Sequence, residues 1–211
     1  MKILIVFVIF FLFNKILCSL PIIYPEVRIN NWNANWNWTG KIYAIIGTII
    51  FLLIYRKYPL SDYFFTFKQN KKFLKKGVFL IISILLIQIV TAFYSSSKPL
   101  SLETLFFQYS IPGIDEEIAY RGIMLGLLVK VLKSKNLILN PSVWITAILF
   151  GMVHGFFLSK NFEVIFEFQP FLWTTVYGLI WGWMTIKSGS ILLALISHNL
   201  GNGTLSLIQM R

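Results

Sequence analysis

The chain has 211 residues, of which 57% are hydrophobic and only 13% charged, and its mean hydropathy is +0.73. Soluble domains average about 45–50% apolar and about 25% charged residues, so one aqueous core cannot hide this much apolar surface, and the apolar blocks approach the roughly 20 residues that cross a bilayer. The net charge of +11 would suit nucleic acid, but seven of the nineteen basic residues (Arg56, Lys57, Lys68, Lys71, Lys72, Lys75 and Lys76) crowd between two apolar blocks. That is where a cytoplasmic loop carries its charge, which argues against nucleic acid as a partner.

The first apolar block runs from about Ile3 to Leu20, interrupted by Asn14-Lys15. It reads as a span or a signal peptide; the poor cleavage context Leu17-Cys18-Ser19 favours a span. Cys18 is the single cysteine, so no intrachain disulfide can form. Residues 21–40 are polar, and Trp32, Trp36 and Trp38 suit a membrane interface. A second span is expected over Trp38 to Tyr55, then the basic loop, then a third span over Val78 to Tyr94. The apolar stretch within 98–114 is too short to cross and reads as re-entrant or interfacial. A helix is expected to start near Asp115, whose acidic neighbours suit a helix N-terminus, and to run to about Leu132, closed by Lys130, Lys133 and Lys135. Further helices are expected from Asn140-Pro141 to about Leu158, from Pro170 to Ile186, and, after the Ser188-Gly189-Ser190 turn, from Ile191 to Ile208. The fold class is therefore an all-α integral membrane protein, a bundle of about seven transmembrane helices with a polar intramembrane cavity. Lysine placement puts Lys2, 56–76, 130–140 and Lys187 inside and 21–40, 95–114 and 159–170 outside.

An ionisable side chain in the bilayer costs about 2.5–3.5 kcal/mol on insertion scales and is a functional candidate by default. Three groups stand out, all in the second half: Asp115-Glu116-Glu117 with Arg121, Phe150 with His154, and His198 with Asn202. Glu117 and Arg121 lie four apart on one helical face and can pair, leaving Glu116 about 100° away. His154 and His198 are the only histidines. Gly122/Gly126, Gly151/Gly155 and Gly178/Gly182 have the small-x-x-x-small spacing that lets membrane helices approach closely.

Glu116-Glu117-x-x-x-Arg121, Phe150-x-x-x-His154 and His198-x-x-x-Asn202, in this order on successive helices, resemble the CPBP family, also called Abi or the CAAX prenyl protease and bacteriocin-processing group. The resemblance covers about residues 100–208, dividing the chain into amino-terminal membrane helices (1–99) and a peptidase-like core (100–208). It implies an intramembrane endopeptidase acting on a membrane-associated or lipidated peptide. Glu116 would be general base and His154 its partner, His198 would hold the water and Asn202 would donate to the oxyanion, with Glu117, Arg121 and Phe150 in support. Glu116, His154 and His198 could alternatively bind a divalent metal such as zinc; without His-Glu-x-x-His, a metal-free glutamate mechanism leads. The competing reading is a non-catalytic bacteriocin-immunity or interaction protein. Membrane lipid and a peptide or protein substrate are the expected partners, a bacterial cytoplasmic membrane the expected location, and nothing in the sequence sets an oligomeric state.

Overall fold

The computed structural model describes residues 1–29, 34–134, 136, 139–158 and 163–211. Within them eight α-helices occur in order: α1 (Lys2–Ile23), α2 (Trp38–Ile54), α3 (Lys71–Tyr94), α4 (Leu102–Glu116), α5 (Leu125–Val131), α6 (Pro141–Gly155), α7 (Phe168–Ser188) and α8 (Leu192–Gln209). A π-helical stretch, Glu117–Met124, joins α4 to α5 through right-handed helical dihedrals at both junctions. The three pieces form one continuous rod.

Helix starts reflect local chemistry. Asn37, Asn70, Ser101 and Asn140 each turn a side-chain oxygen onto a backbone N–H of the first turn of α2, α3, α4 and α6, satisfying a donor that no helical carbonyl reaches. Pro141 sits at the start of α6, where a missing N–H costs nothing. Gly189, at φ 77°, ends α7 in the left-handed region that a Cβ disfavours.

Two helices, α1 and α3, are long and apolar enough to cross a membrane, and α2 and α6 are shorter apolar helices. Their outer faces expose Ile9, Ile50, Leu86 and Phe93, which lipid rather than water would cover. Inside, α1 packs on α2, α3 and α4 pack on α8, and α6 packs on α7. Small residues set the closest approaches. A methyl on Gly155 would press the Glu167 carbonyl at 3.1 Å, and one on Gly178 would meet Ala147 at 3.1 Å. Gly126 instead receives the 3-10 turn Leu60–Tyr63, with the Asp62 carbonyl 2.8 Å from where its Cβ would stand.

The rods end in two groups. One end gathers the start of α4 and the residues before α2, where Trp36 donates Nε1–H to Thr104, together with the ends of α3 and α8, where the Lys98 N–H meets the Gln209 carbonyl. The other end gathers the basic loop: Lys130 pairs with Asp62 at 2.6 Å, and the Asn70 N–H meets the Ser188 carbonyl.

Three sequence expectations need correction. Residues 102–114 are helical and run on without a break into the π-helical stretch and α5, so Glu116 lies mid-rod rather than at a helix start; Ser101, with Glu103 in the first turn, is the true N-terminus. Pro112 does not break the rod. A proline disturbs the helical hydrogen bonding around it, and here the next N–H, on Gly113, donates to Asn199 Oδ1 of α8 at 2.8 Å. Second, α3 begins at Lys71, not Val78, because the lysines form its first turns behind the Asn70 cap. Third, α6 stops at Gly155, and Phe156–Leu158 pairs antiparallel with Val164–Phe166 as a two-stranded hairpin (β1 and β2). Trp32, Lys135 and residues 159–162 lie outside the described residues.

Candidate active site

Side chains from α2, α3, α4, α6, α7 and α8 line a cavity of about 770 Å³ whose wall includes Glu116, His154, His198 and Asn202. The three motif segments, spread over more than eighty residues of sequence, therefore meet. Glu116 Oε1 is 3.7 Å from His154 Nε2, and Glu116 Oε2 is 3.7 Å from His198 Nε2.

Both histidines have their tautomer set by what holds their other nitrogen. His154 donates Nδ1–H to the Phe150 carbonyl at 2.8 Å, one turn back along α6. His198 donates Nδ1–H to Glu117 Oε1 at 2.8 Å. A carbonyl and a carboxylate can only accept, so each ring carries a proton on Nδ1 and turns Nε2 toward Glu116. Trp181 fixes the plane of His198: the rings stack 4.2 Å apart at 15°, and Trp181 donates Nε1–H to Ser197. Phe150 packs on His154 with centroids 4.5 Å apart.

Beneath this wall lies a sealed layer. Glu117 is 0% and Arg121 1% exposed, and their charges meet at 3.1 Å. The guanidinium also lies over the Phe150 ring at 4.3 Å and the Trp181 ring at 5.3 Å. Cation–π contact thus takes the place of some of its missing hydrogen-bond partners, and Phe150 touches both Arg121 and His154.

Two lysines were not singled out by sequence; of the two, Lys41 lies on the cavity wall. Lys41 of α2 reaches Glu116 Oε1 at 2.6 Å and Asp115 Oδ2 at 2.8 Å. Lys15 of α1 sits 5.3 Å from the centroid of Tyr120. The rule that flagged Glu116, that an ionisable group inside an apolar helix is functional by default, applies equally to both lysines. Asn199, beside His198, ties α8 to α4 through Gly113.

Two imidazole nitrogens and a carboxylate are a common zinc donor set. Here, however, the carboxylate oxygen nearest His154 is the one that Lys41 holds, so a divalent cation would have to displace an ammonium. Among the described residues no group of three or more His, Cys, Asp or Glu side chains is arranged to hold a metal ion. The arrangement as it stands does not fit a resident metal.

The model of a family described as type II CAAX prenyl endopeptidase Rce1-like matches residues 98–204. No curated protein and no solved structure matches the chain. The family is one of proteases; with the two long apolar helices it marks this chain as a membrane protein. The match spans about half of the chain and includes every motif residue from Glu116 to Asn202, but leaves out Lys41. The chain belongs to the Rce1-like family of type II CAAX prenyl endopeptidases.

Proposed function

We propose that this protein is an intramembrane endopeptidase of a bacterial cytoplasmic membrane that hydrolyses a peptide bond of a membrane-associated or lipidated peptide with a water activated by Glu116. The observation that carries the reading is the convergence of Glu116 with the Nε2 atoms of His154 and His198 at 3.7 Å on one cavity wall. At 3.7 Å neither ring hydrogen-bonds the carboxylate, and the three groups bracket a point that a small polar molecule can bridge. A water fits that description, since it donates two hydrogens and keeps a lone pair for attack.

In the proposed reaction Glu116 takes a proton from this water as its oxygen adds to the scissile carbonyl carbon. His198, its ring fixed by Glu117 and Trp181, orients the water. Asn202, one turn further along α8 on the cavity wall, donates its amide N–H to the oxyanion. The C–N bond then breaks, and the proton held by Glu116 passes to the leaving amine with His154 alongside. Glu117 and Arg121 lie behind the wall, where Glu117 holds His198, and Phe150, itself on the cavity wall, packs on His154.

The rods are read as about seven crossings. The cavity wall extends to Trp36, Tyr94 and Gln169, which belong to the end remote from the basic loop. By the positive-inside rule, that mouth faces away from the cytoplasm, and the substrate enters from the outer side.

The test compares peptide termini in membranes carrying native protein or Glu116→Gln at matched expression. Specific termini that appear only with the native protein are the expected result and identify the substrate. Matching profiles, with a cellular phenotype that persists in the variant, would replace catalysis by a binding or immunity role.

A further inference from the structure

Lys41 is a largely buried cation for which the proposed reaction has no use. It comes from α2, outside the matched region 98–204. Its side chain is 13% exposed, and it grips Glu116 and Asp115, whose side chains are 10% and 4% exposed. We propose that Lys41 is a positioning residue for the Glu116 carboxylate, so that the amino-terminal helices complete the active site of the motif-bearing half. This rests on the peptidase reading.

Charge alone demands a partner here. Asp115, Glu116 and Glu117 are three consecutive buried carboxylates. Arg121 is committed to Glu117, and each histidine stands 3.7 Å from Glu116, beyond hydrogen-bond distance. Among the described residues Lys41 is the cation in contact with Asp115 and Glu116, and two adjacent carboxylates without it would be uncompensated in a low-dielectric interior. Geometry then assigns more than neutralisation. Lys41 takes Glu116 Oε1 at 2.6 Å, and the other oxygen, Oε2, is the one turned to His198 Nε2. The grip fixes which oxygen is left to receive a proton.

A lysine suits this task. Its ammonium is a compact charge with three rotatable donors, able to serve two acids on one helix. Its own helix is braced from both sides. Asn37, the α2 cap, donates Nδ2–H to the Cys18 carbonyl of α1 at 2.7 Å. Glu103 of α4 accepts from the Asn35 amide at 2.8 Å and from Trp38 Nε1 at 2.8 Å. Lys41 stands one turn beyond this brace.

The test uses the full-length protein in native membranes and in detergent. Glu116-dependent peptide termini are compared for native, Lys41→Met and Lys41→Arg. The cleaved sequence is then resynthesised as a quenched fluorogenic peptide for kcat and KM. Lys41→Met is expected to lower kcat about 100-fold, the cost of a small misplacement of a reacting group, with KM little changed, and Lys41→Arg to restore part of kcat. Unfolding midpoints of Lys41→Met, Glu116→Gln and the double variant should show coupling between the two positions. Native-rate cleavage by Lys41→Met would overturn the inference alone. So would equal losses in Met and Arg variants that track earlier unfolding, which would mark a purely structural lysine. Identical termini from native and Glu116→Gln membranes would sink the peptidase reading and this inference together, and the native control separates that outcome from the others.

Discussion

Glu116 and Glu117 are neighbours in the chain with opposite surroundings. Glu117 lies in a sealed layer, accepting from His198 and paired with Arg121, whose guanidinium lies over Phe150 and Trp181. Glu116 lies on the wall of a cavity, shared among a lysine and two imidazole nitrogens that it does not hydrogen-bond. One carboxylate has every neighbour fixed and serves to hold a histidine still. The other faces space that a substrate can enter. The π-helical stretch that begins at Glu117 accompanies this division; such widened turns recur at functional sites. Two carboxylates one residue apart thus have different surroundings because the helix turns one inward to protein and the other to the cavity.

The largest expected effects test this division directly. Glu116→Gln should lower turnover by about 10²–10⁴, the usual worth of a general base, while the protein still folds, because Lys41 keeps Asp115 as a partner. Glu117→Gln should instead cost stability, about 3–5 kcal/mol, because it leaves Arg121 charged and unpaired in a dry interior. Unfolding midpoints in detergent, read beside turnover, separate the two. A Glu117→Gln protein that unfolds like the native one would break the comparison. A smaller effect sharpens it. Asn202→Ala should lower kcat about 10²–10³, as loss of an oxyanion donor does, with the unfolding midpoint unchanged. A fall in stability without a fall in kcat would move Asn202 to the structural side.

Much of this was legible in the sequence because bilayer burial makes polar residues conspicuous. Glu116, His154, His198 and Asn202 stood out on apolar helices, and they share one cavity wall. The Glu117–Arg121 pair was expected from spacing alone. What was missed has physical causes. Asp115-Glu116-Glu117, shortly after Pro112, suits a helix N-terminus, so the stretch before it reads as separate from the helix. The rod continues through it because Asn199, far away in sequence, supplies an acceptor for the Gly113 N–H. Lys41 belongs to a half without motif residues and adjoins a polar segment, so nothing in the sequence marks its charge. Only the packing of α2 shows it aimed at Glu116. The hairpin after Gly155 has no alternating pattern to announce it, since Phe156–Leu158 and Val164–Phe166 are apolar throughout.

The smallest effect concerns that hidden join between α4 and α8. Asn199 is buried, and its Oδ1 accepts the Gly113 N–H three residues before Glu116, while its neighbour His198 approaches Glu116 Oε2. The contact therefore sets the spacing of the two helices at the height of the site without entering the chemistry. Removing the acceptor in Asn199→Ala leaves a buried backbone donor unsatisfied, a loss of about 1–3 kcal/mol. It should appear as an earlier unfolding midpoint in detergent. If the join also holds His198 in register with the carboxylate, kcat should fall further than the small loss of folded protein explains, yet less than in Asn202→Ala. An unchanged midpoint would mean that water or a helical carbonyl already serves the Gly113 N–H, and that the rod passes Pro112 without help from α8.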